Sequence, residues 1–253
     1  MVRNLGRPVM WLEDHIALAQ LLNEEYANQP TEVVIEALQY DERIGRTAIV
    51  SSFGADSAVL LHMVSQINSR AAIIFIDTGF HFTETLTYRD HVVERFGLEN
   101  VRSVTIDPLT TKREDRWGQL HRTEPDRCCE LRKVEVLNRA LEPFGAWCSG
   151  QKQHQSESRR SIELFEVDVE RRKLKVNPLA FWSSQAVLEY ARSHRLPSHP
   201  LVEKGYPSIG CAPCTGSISA GEALRAGRWR GLKKNECGLH APSAVFFKGG
   251  SAA

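Results

Sequence analysis

No apolar run in this 253-residue chain comes near the roughly 20 residues that a membrane span needs. Residues 1–12 carry two arginines but lack an apolar core of signal-peptide length. Both absences lead to the expectation of a cytoplasmic protein. An excess of one charge is also missing: 32 Lys and Arg face 31 Asp and Glu, a net charge of +1. No global field therefore draws the chain to nucleic acid or to an anionic membrane, and any anion site must come from local basic clusters. Low-complexity tracts and repeats of solenoid length are absent, so neither a disordered chain nor a repeat array is indicated. The sequence does not fix an oligomeric state; a homo-oligomer stays open.

What is present reads as alternating strands and helices. Residues 12–40 are helical, with Thr31 as an N-cap ahead of Val34, Ala37 and Leu38. Strands are expected at 48–50, 71–76, 101–106 and 146–148. Between them lie helices over 57–67, 88–96 and 131–141, the first marked by Leu60, Met63, Val64 and Ile67 at helical spacing. A hairpin follows at 164–169 and 174–176, then a helix capped by Ser183 or Ser184. This order predicts an α/β fold, a mostly parallel sheet flanked by helices. It forms one domain over 1–240, with a helical segment 1–45, a mobile segment at about 230–240 and a flexible tail 241–253.

Ligands bind beyond the carboxyl ends of strands in such a sheet. Ser51-Ser52-Phe53-Gly54-Ala55-Asp56-Ser57 lies there, with hydroxyls at Ser51, Ser52 and Ser57 and the start of a helix whose free N–H groups favour an anion. Asp77, Thr78 and Gly79 end the next strand beside it. A capped polar turn explains the same residues equally well. The loop is neither a Walker loop nor G-x-G-x-x-G.

Cysteine is sparse but grouped. Cys128 and Cys129 are adjacent, Cys211 and Cys214 form C-x-x-C, and Cys148 and Cys237 stand alone. In a reducing compartment the two pairs read as four thiolate ligands, suited to zinc or to an iron–sulfur cluster alike. Cys148, in an apolar strand, reads as a core thiol. Cys237 follows Lys233 and Lys234 and precedes His240, surroundings that favour a nucleophilic thiolate; a surface thiol is the alternative. Arg132 and Lys133 follow the first cysteine pair. Arg225 and Arg228, three apart, would share a helix face, and Arg159 follows another strand end. Guanidinium forks match phosphate and sulfate.

Ser52-Phe53-Gly54-Ala55-Asp56-Ser57 resembles the pyrophosphate loop of the adenine-nucleotide alpha-hydrolase-like (PP-loop) superfamily. Cys-Cys-x-x-Arg-Lys at 128–133, Cys-x-x-Cys at 211–214, Arg-Ala-Gly-Arg-Trp at 225–229 and Glu-Cys-Gly-Leu-His at 236–240 resemble, in order, the assimilatory sulfonucleotide reductases. The resemblance runs from about residue 49 to 240. It implies a [4Fe–4S] cluster on Cys128, Cys129, Cys211 and Cys214, with Lys133 between cluster and substrate. It further implies Arg159, Arg225 and Arg228 on the phosphate and sulfate groups. Ser51, Ser52, Phe53, Gly54, Ser57, Asp77, Thr78 and Gly79 would surround the nucleotide, and Cys237 would be the nucleophile on a mobile tail with His240 nearby.

The implied reaction is reduction of adenylylsulfate to sulfite and AMP through an S-sulfonated Cys237, with thioredoxin or glutaredoxin as reductant. Members with the cysteine tetrad usually prefer adenylylsulfate over the 3′-phosphorylated nucleotide. Where many relatives carry Gly-Leu-Arg-Arg-Asp-Gln-Ser, however, this chain has Gly150-Gln151-Lys152-Gln153-His154-Gln155-Ser156, and its 51–54 loop resembles the cluster-free branch. Use of phosphoadenylylsulfate, alone or as well, is therefore the alternative. An ATP pyrophosphatase of tRNA thiolation and a non-catalytic metal-binding module are the further competitors.

Overall fold

The computed structural model describes residues 7–240, with side chains from residue 11 onward. The expected tail, 241–253, lies outside them. Two helices, α1 (Arg7–Tyr26) and α2 (Thr31–Tyr40), precede β1 (Thr47–Val50). Then come α3 (Ser57–Ile67), β2 (Ala72–Asp77), α4 (Thr83–Phe96), β3 (Val101–Thr105) and the short α5 (Pro108–Glu114) and α6 (Leu120–Thr123). Next, α7 (Pro125–Cys129) runs through a π-helical turn, Glu130–Val134, into α8 (Glu135–Leu141). β4 (Ala146–Ser149), β5 (Phe165–Asp168), β6 (Lys173–Val176) and α9 (Ser184–Ser193) complete the regular elements.

The six strands stand in the order β3-β2-β1-β4-β6-β5, with β5 alone antiparallel to its neighbour. Connections leave β1 toward β3 on one side and β4 toward β5 on the other. The carboxyl ends of β1 and β4 therefore mark the switch point, where a crevice must open. Side-chain alternation along the strands assigns the two faces. Ile49, Ile73, Phe75 and Cys148 pack under the layer built from α1 to α4 and α9, whereas Ala48, Ile74, Ile76 and Trp147 pack under α8. Cys148 is fully buried in the first layer, as expected of a core thiol. On the β5 edge, Asn23 of α1 pairs with the backbone N–H and carbonyl of Phe165, each at 2.9 Å, which blocks edge-to-edge pairing.

Two local expectations change. Pro30, not Thr31, caps α2; the Thr31 hydroxyl instead accepts the Trp182 indole N–H at 2.9 Å. The helix expected over 131–141 begins at Pro125 and contains the π turn, which holds Arg132 and Lys133. One extra residue in a turn leaves no trace in apolar periodicity, and such turns often sit at functional sites. Ser183 caps α9 as expected, accepting the Ala186 N–H at 3.1 Å.

Candidate active site

A cavity of about 220 Å³ opens at the β1/β4 switch point. Its floor is the loop after β1. Ser51 Oγ accepts the Phe53 N–H at 3.2 Å, so that hydroxyl is turned into the loop and shapes it. Phe53 takes a left-handed φ of 47° and sends its ring into the core, edge-on to Phe75 at 5.5 Å. Of the loop residues expected around the nucleotide, Ser51, Ser52, Gly54 and Ser57 line the cavity and Phe53 does not. Thr78 lines it as well; Asp77 and Gly79 do not, and the Asp77 carboxylate folds back to accept the Gly79 N–H at 2.9 Å.

Lys133, Arg159, Arg225, Arg228, Cys237 and His240 all line the same cavity. The arginine pair does not come from a helix. Residues 225–228 form a turn, closed by the Arg228 N–H on the Arg225 carbonyl at 2.9 Å, and Arg228 bridges to Thr215. Gly227 has to be glycine here, since a Cβ would run into the backbone of Gly216. Gly210 faces Arg228 so closely that a Cβ would overlap the guanidinium. Arg228 also lies over the Trp229 ring, 4.4 Å from its centroid.

The segment expected to be a mobile tail is folded into this cavity over its described part. His240 lies on Trp147 with ring centroids 5.6 Å apart and planes 20° from parallel. Lys234 pairs with Asp126 of α7. Glu236 meets Arg159 through Nε at 2.9 Å and Nη2 at 3.0 Å, and Arg225 through Nη2 at 3.1 Å. Between these anchors sits Cys237, half-buried. Burial raises its thiol pKa, but Lys133, the Leu239 backbone N–H and Arg228 outweigh burial and hold it below the ordinary value. Burial likewise opposes the charge on Lys133, and the thiols of Cys237, Cys211 and Cys129 reverse that, keeping the ammonium protonated. The arrangement is a thiolate beside a buried cation, in a pocket of guanidinium groups.

Cys128, Cys129, Cys211 and Cys214 border a second, smaller cavity on the far side of Lys133 and Thr78. All four thiols are free, and Thr78 Oγ1 lies 3.3 Å from the Cys211 sulfur. Burial pushes the Cys128 thiol up to about 12 and the Cys129 thiol up to about 11. Four sulfur donors around one enclosure are the donor set of a thiolate-ligated metal or cluster. Among the described residues no group of three or more His, Cys, Asp or Glu is disposed to hold a metal ion. The enclosure is braced by Arg132, which pairs with Asp115 at 2.9 Å, donates to the Thr78 carbonyl at 2.9 Å and lies over the Phe80 ring at 4.4 Å.

Some cavity residues carried no local signal. Lys152 is 1% exposed, with Nζ 3.2 Å from the Asp56 carboxylate and 3.1 Å from the Gly150 carbonyl. Burial lowers its pKa against the pull of Asp56. His81, Gln151, Ile209 and Gly210 also contribute. Gln151 and Lys152 follow the carboxyl end of β4, so strand order could have found them; the others come from distant segments.

The sheet, its switch point and the loop after β1 define a PP-loop-like fold. A phosphoadenylyl-sulfate reductase from Candida auris shares it, with a TM-score of 0.66 at 23% identity over 79% of this chain and 96% of that one. Residues 46–217 match the phosphoadenosine phosphosulfate reductase domain family. An adenosine 5′-phosphosulfate reductase of Chelativorans is 44% identical over 87% of this chain and 90% of its own length. A phosphoadenosine 5′-phosphosulfate reductase of Gloeobacter violaceus is 38% identical over 93% and 98%. The chain belongs to this family, the sulfonucleotide reductases, and is an oxidoreductase.

Proposed function

We propose that this protein reduces adenylylsulfate to sulfite and AMP, with Cys237 as the nucleophile. The observation that carries the reading is the meeting of Cys237, Lys133 and three arginines in one cavity beside the loop after β1. That cavity offers a thiolate to an electrophile and cations to an anion. The Cys237 thiolate attacks the sulfate sulfur; a sulfur–sulfur bond forms, the bond from sulfur to the bridging phosphate oxygen breaks, and AMP leaves with the electron pair. Arg159, Arg225, Arg228 and Lys133 offset the charge that gathers on that oxygen. A dithiol protein, thioredoxin or glutaredoxin, then attacks the Cys237 sulfur and expels sulfite. Its second thiol resolves the mixed disulfide, so the partner leaves oxidised by two electrons. The reaction belongs in the cytoplasm, where such dithiols are kept reduced.

Cys128, Cys129, Cys211 and Cys214 would hold a [4Fe–4S] cluster, which supplies local electrostatics beside the substrate. Lys133, placed between the two cavities, is the residue of this chain that couples them. A second reading, use of phosphoadenylylsulfate, is favoured by the Gloeobacter relative and by the extra buried cation Lys152 beside the loop.

The deciding experiment is anaerobic sulfite release from adenylylsulfate by iron-replete protein with reduced thioredoxin, run beside phosphoadenylylsulfate. Release from adenylylsulfate with the larger kcat/KM is expected. A larger kcat/KM for the phosphorylated nucleotide would reverse the substrate order, and release from neither would overturn the reading.

A further inference from the structure

Among the described residues that line the cavity, Glu236 is the only acidic side chain besides Asp56, and it is spent on the arginines. Its two oxygens take Nε and Nη2 of Arg159 and Nη2 of Arg225 at 2.9 to 3.1 Å. Both guanidinium groups are largely shielded, with side-chain exposures of 11% and 16%, and the carboxylate's is 21%. Burial and the nearness of Arg159 press the Arg225 guanidinium down to about 10, a sign that two cations share a poorly hydrated space. An anion between them eases that conflict, as Glu236 does by opposing the downward shift. A carboxylate and a sulfate or phosphate present oxygens to a guanidinium fork in the same way, so one can take the other's place.

Glu236 is also covalently next to the nucleophile. The tail that delivers Cys237 thus brings its own anion to the arginines assigned to the substrate. We propose that Glu236 and the phosphosulfate group of the nucleotide compete for Arg159 and Arg225, so that substrate enters by exchanging with this carboxylate. This rests on the reading of the cavity as the sulfonucleotide site. The exchange makes binding weaker than the arginines alone would give. It also couples the arrival of the substrate anion to release of the residue beside Cys237, freeing the thiol to move toward sulfur. Chain connectivity supports the coupling: Glu236 and Cys237 are consecutive residues, so a shift at the carboxylate bears directly on the thiol.

The test compares Cys237→Ser protein with the same protein carrying Glu236→Gln or Glu236→Ala, so that adenylylsulfate binds without reacting. Iron content and melting temperature establish that the variants are folded. Calorimetry under anaerobic conditions should show adenylylsulfate binding about tenfold tighter in both double variants, a change of about 1.4 kcal/mol. Inorganic sulfate, titrated alone, should tighten in the same direction. Equal or weaker affinity for both ligands in the double variants would overturn the exchange and make Glu236 a positioning residue for the tail. If adenylylsulfate binds none of the proteins while sulfate tightens, the exchange stands and the substrate reading falls.

Discussion

His240 rests face to face on Trp147, 5.6 Å between ring centroids, and so anchors the end of the tail to the centre of the sheet. Trp147 is itself fixed, its indole N–H donating to Asp168 at 2.9 Å. Burial holds the His240 imidazole well below its ordinary value of 6.5, and Lys175, Arg159, Arg171 and Arg225 press the same way. A base whose pKa falls on docking takes more protons when undocked. The contribution of His240 to docking is therefore fully present above pH 6.5 and is lost as pH falls below it toward the depressed docked value. Hydrogen exchange over 233–240, corrected for intrinsic rates, should quicken relative to the core between pH 7.5 and about 5.5. His240→Phe should keep the stacking and flatten that dependence.

The Cys237 thiolate is favoured by Lys133 and Arg228 against burial. Its alkylation by iodoacetamide should follow a titration below that of an ordinary thiol. Lys133→Met should move the midpoint upward, because the cation that opposes burial at the thiol is gone. An unmoved midpoint would show that Lys133 does not set the thiol's charge.

Arg132 and Asp115 form an ion pair with side chains 8% and 3% exposed. Removing one partner strands the other. Arg132→Met should cost about 3–5 kcal/mol in urea unfolding, much of it from the uncompensated Asp115 carboxylate. Adding Asp115→Leu should recover a large part of that loss.

A Cβ at Gly210 would displace the end of Arg228 rather than any backbone. Gly210→Ala should thus leave the melting temperature within a few degrees of the wild type. Its KM for adenylylsulfate should rise about tenfold, the equivalent of one weakened charged contact.

Much of this was legible in the sequence, for identifiable reasons. Strands such as β1 and β2 are short apolar runs bounded by turn residues, and α3 shows its buried face in Leu60, Met63 and Val64. The four cysteines announced a shared enclosure because two tight pairs have few other uses. What escaped depends on close approach between distant segments. The turn at 225–228 exists because Gly227 meets Gly216, a contact no local pattern records. Lys152 reaches the loop only because β4 lies beside β1. The buried ring of Phe53 follows from one left-handed φ, which phenylalanine seldom adopts. The π turn at 130–134 adds one residue without altering composition.

Leu239 and His240 line the same cavity as Cys237, so the wall of the pocket and its reacting thiol are one stretch of chain. If Cys237 reacts as proposed, a reductant protein cannot reach that sulfur while nucleotide and tail fill the crevice together, and AMP departs before the second reactant arrives. Steady-state rates measured at several fixed concentrations of thioredoxin should then give parallel double-reciprocal lines, the signature of substituted-enzyme kinetics, in place of lines that intersect.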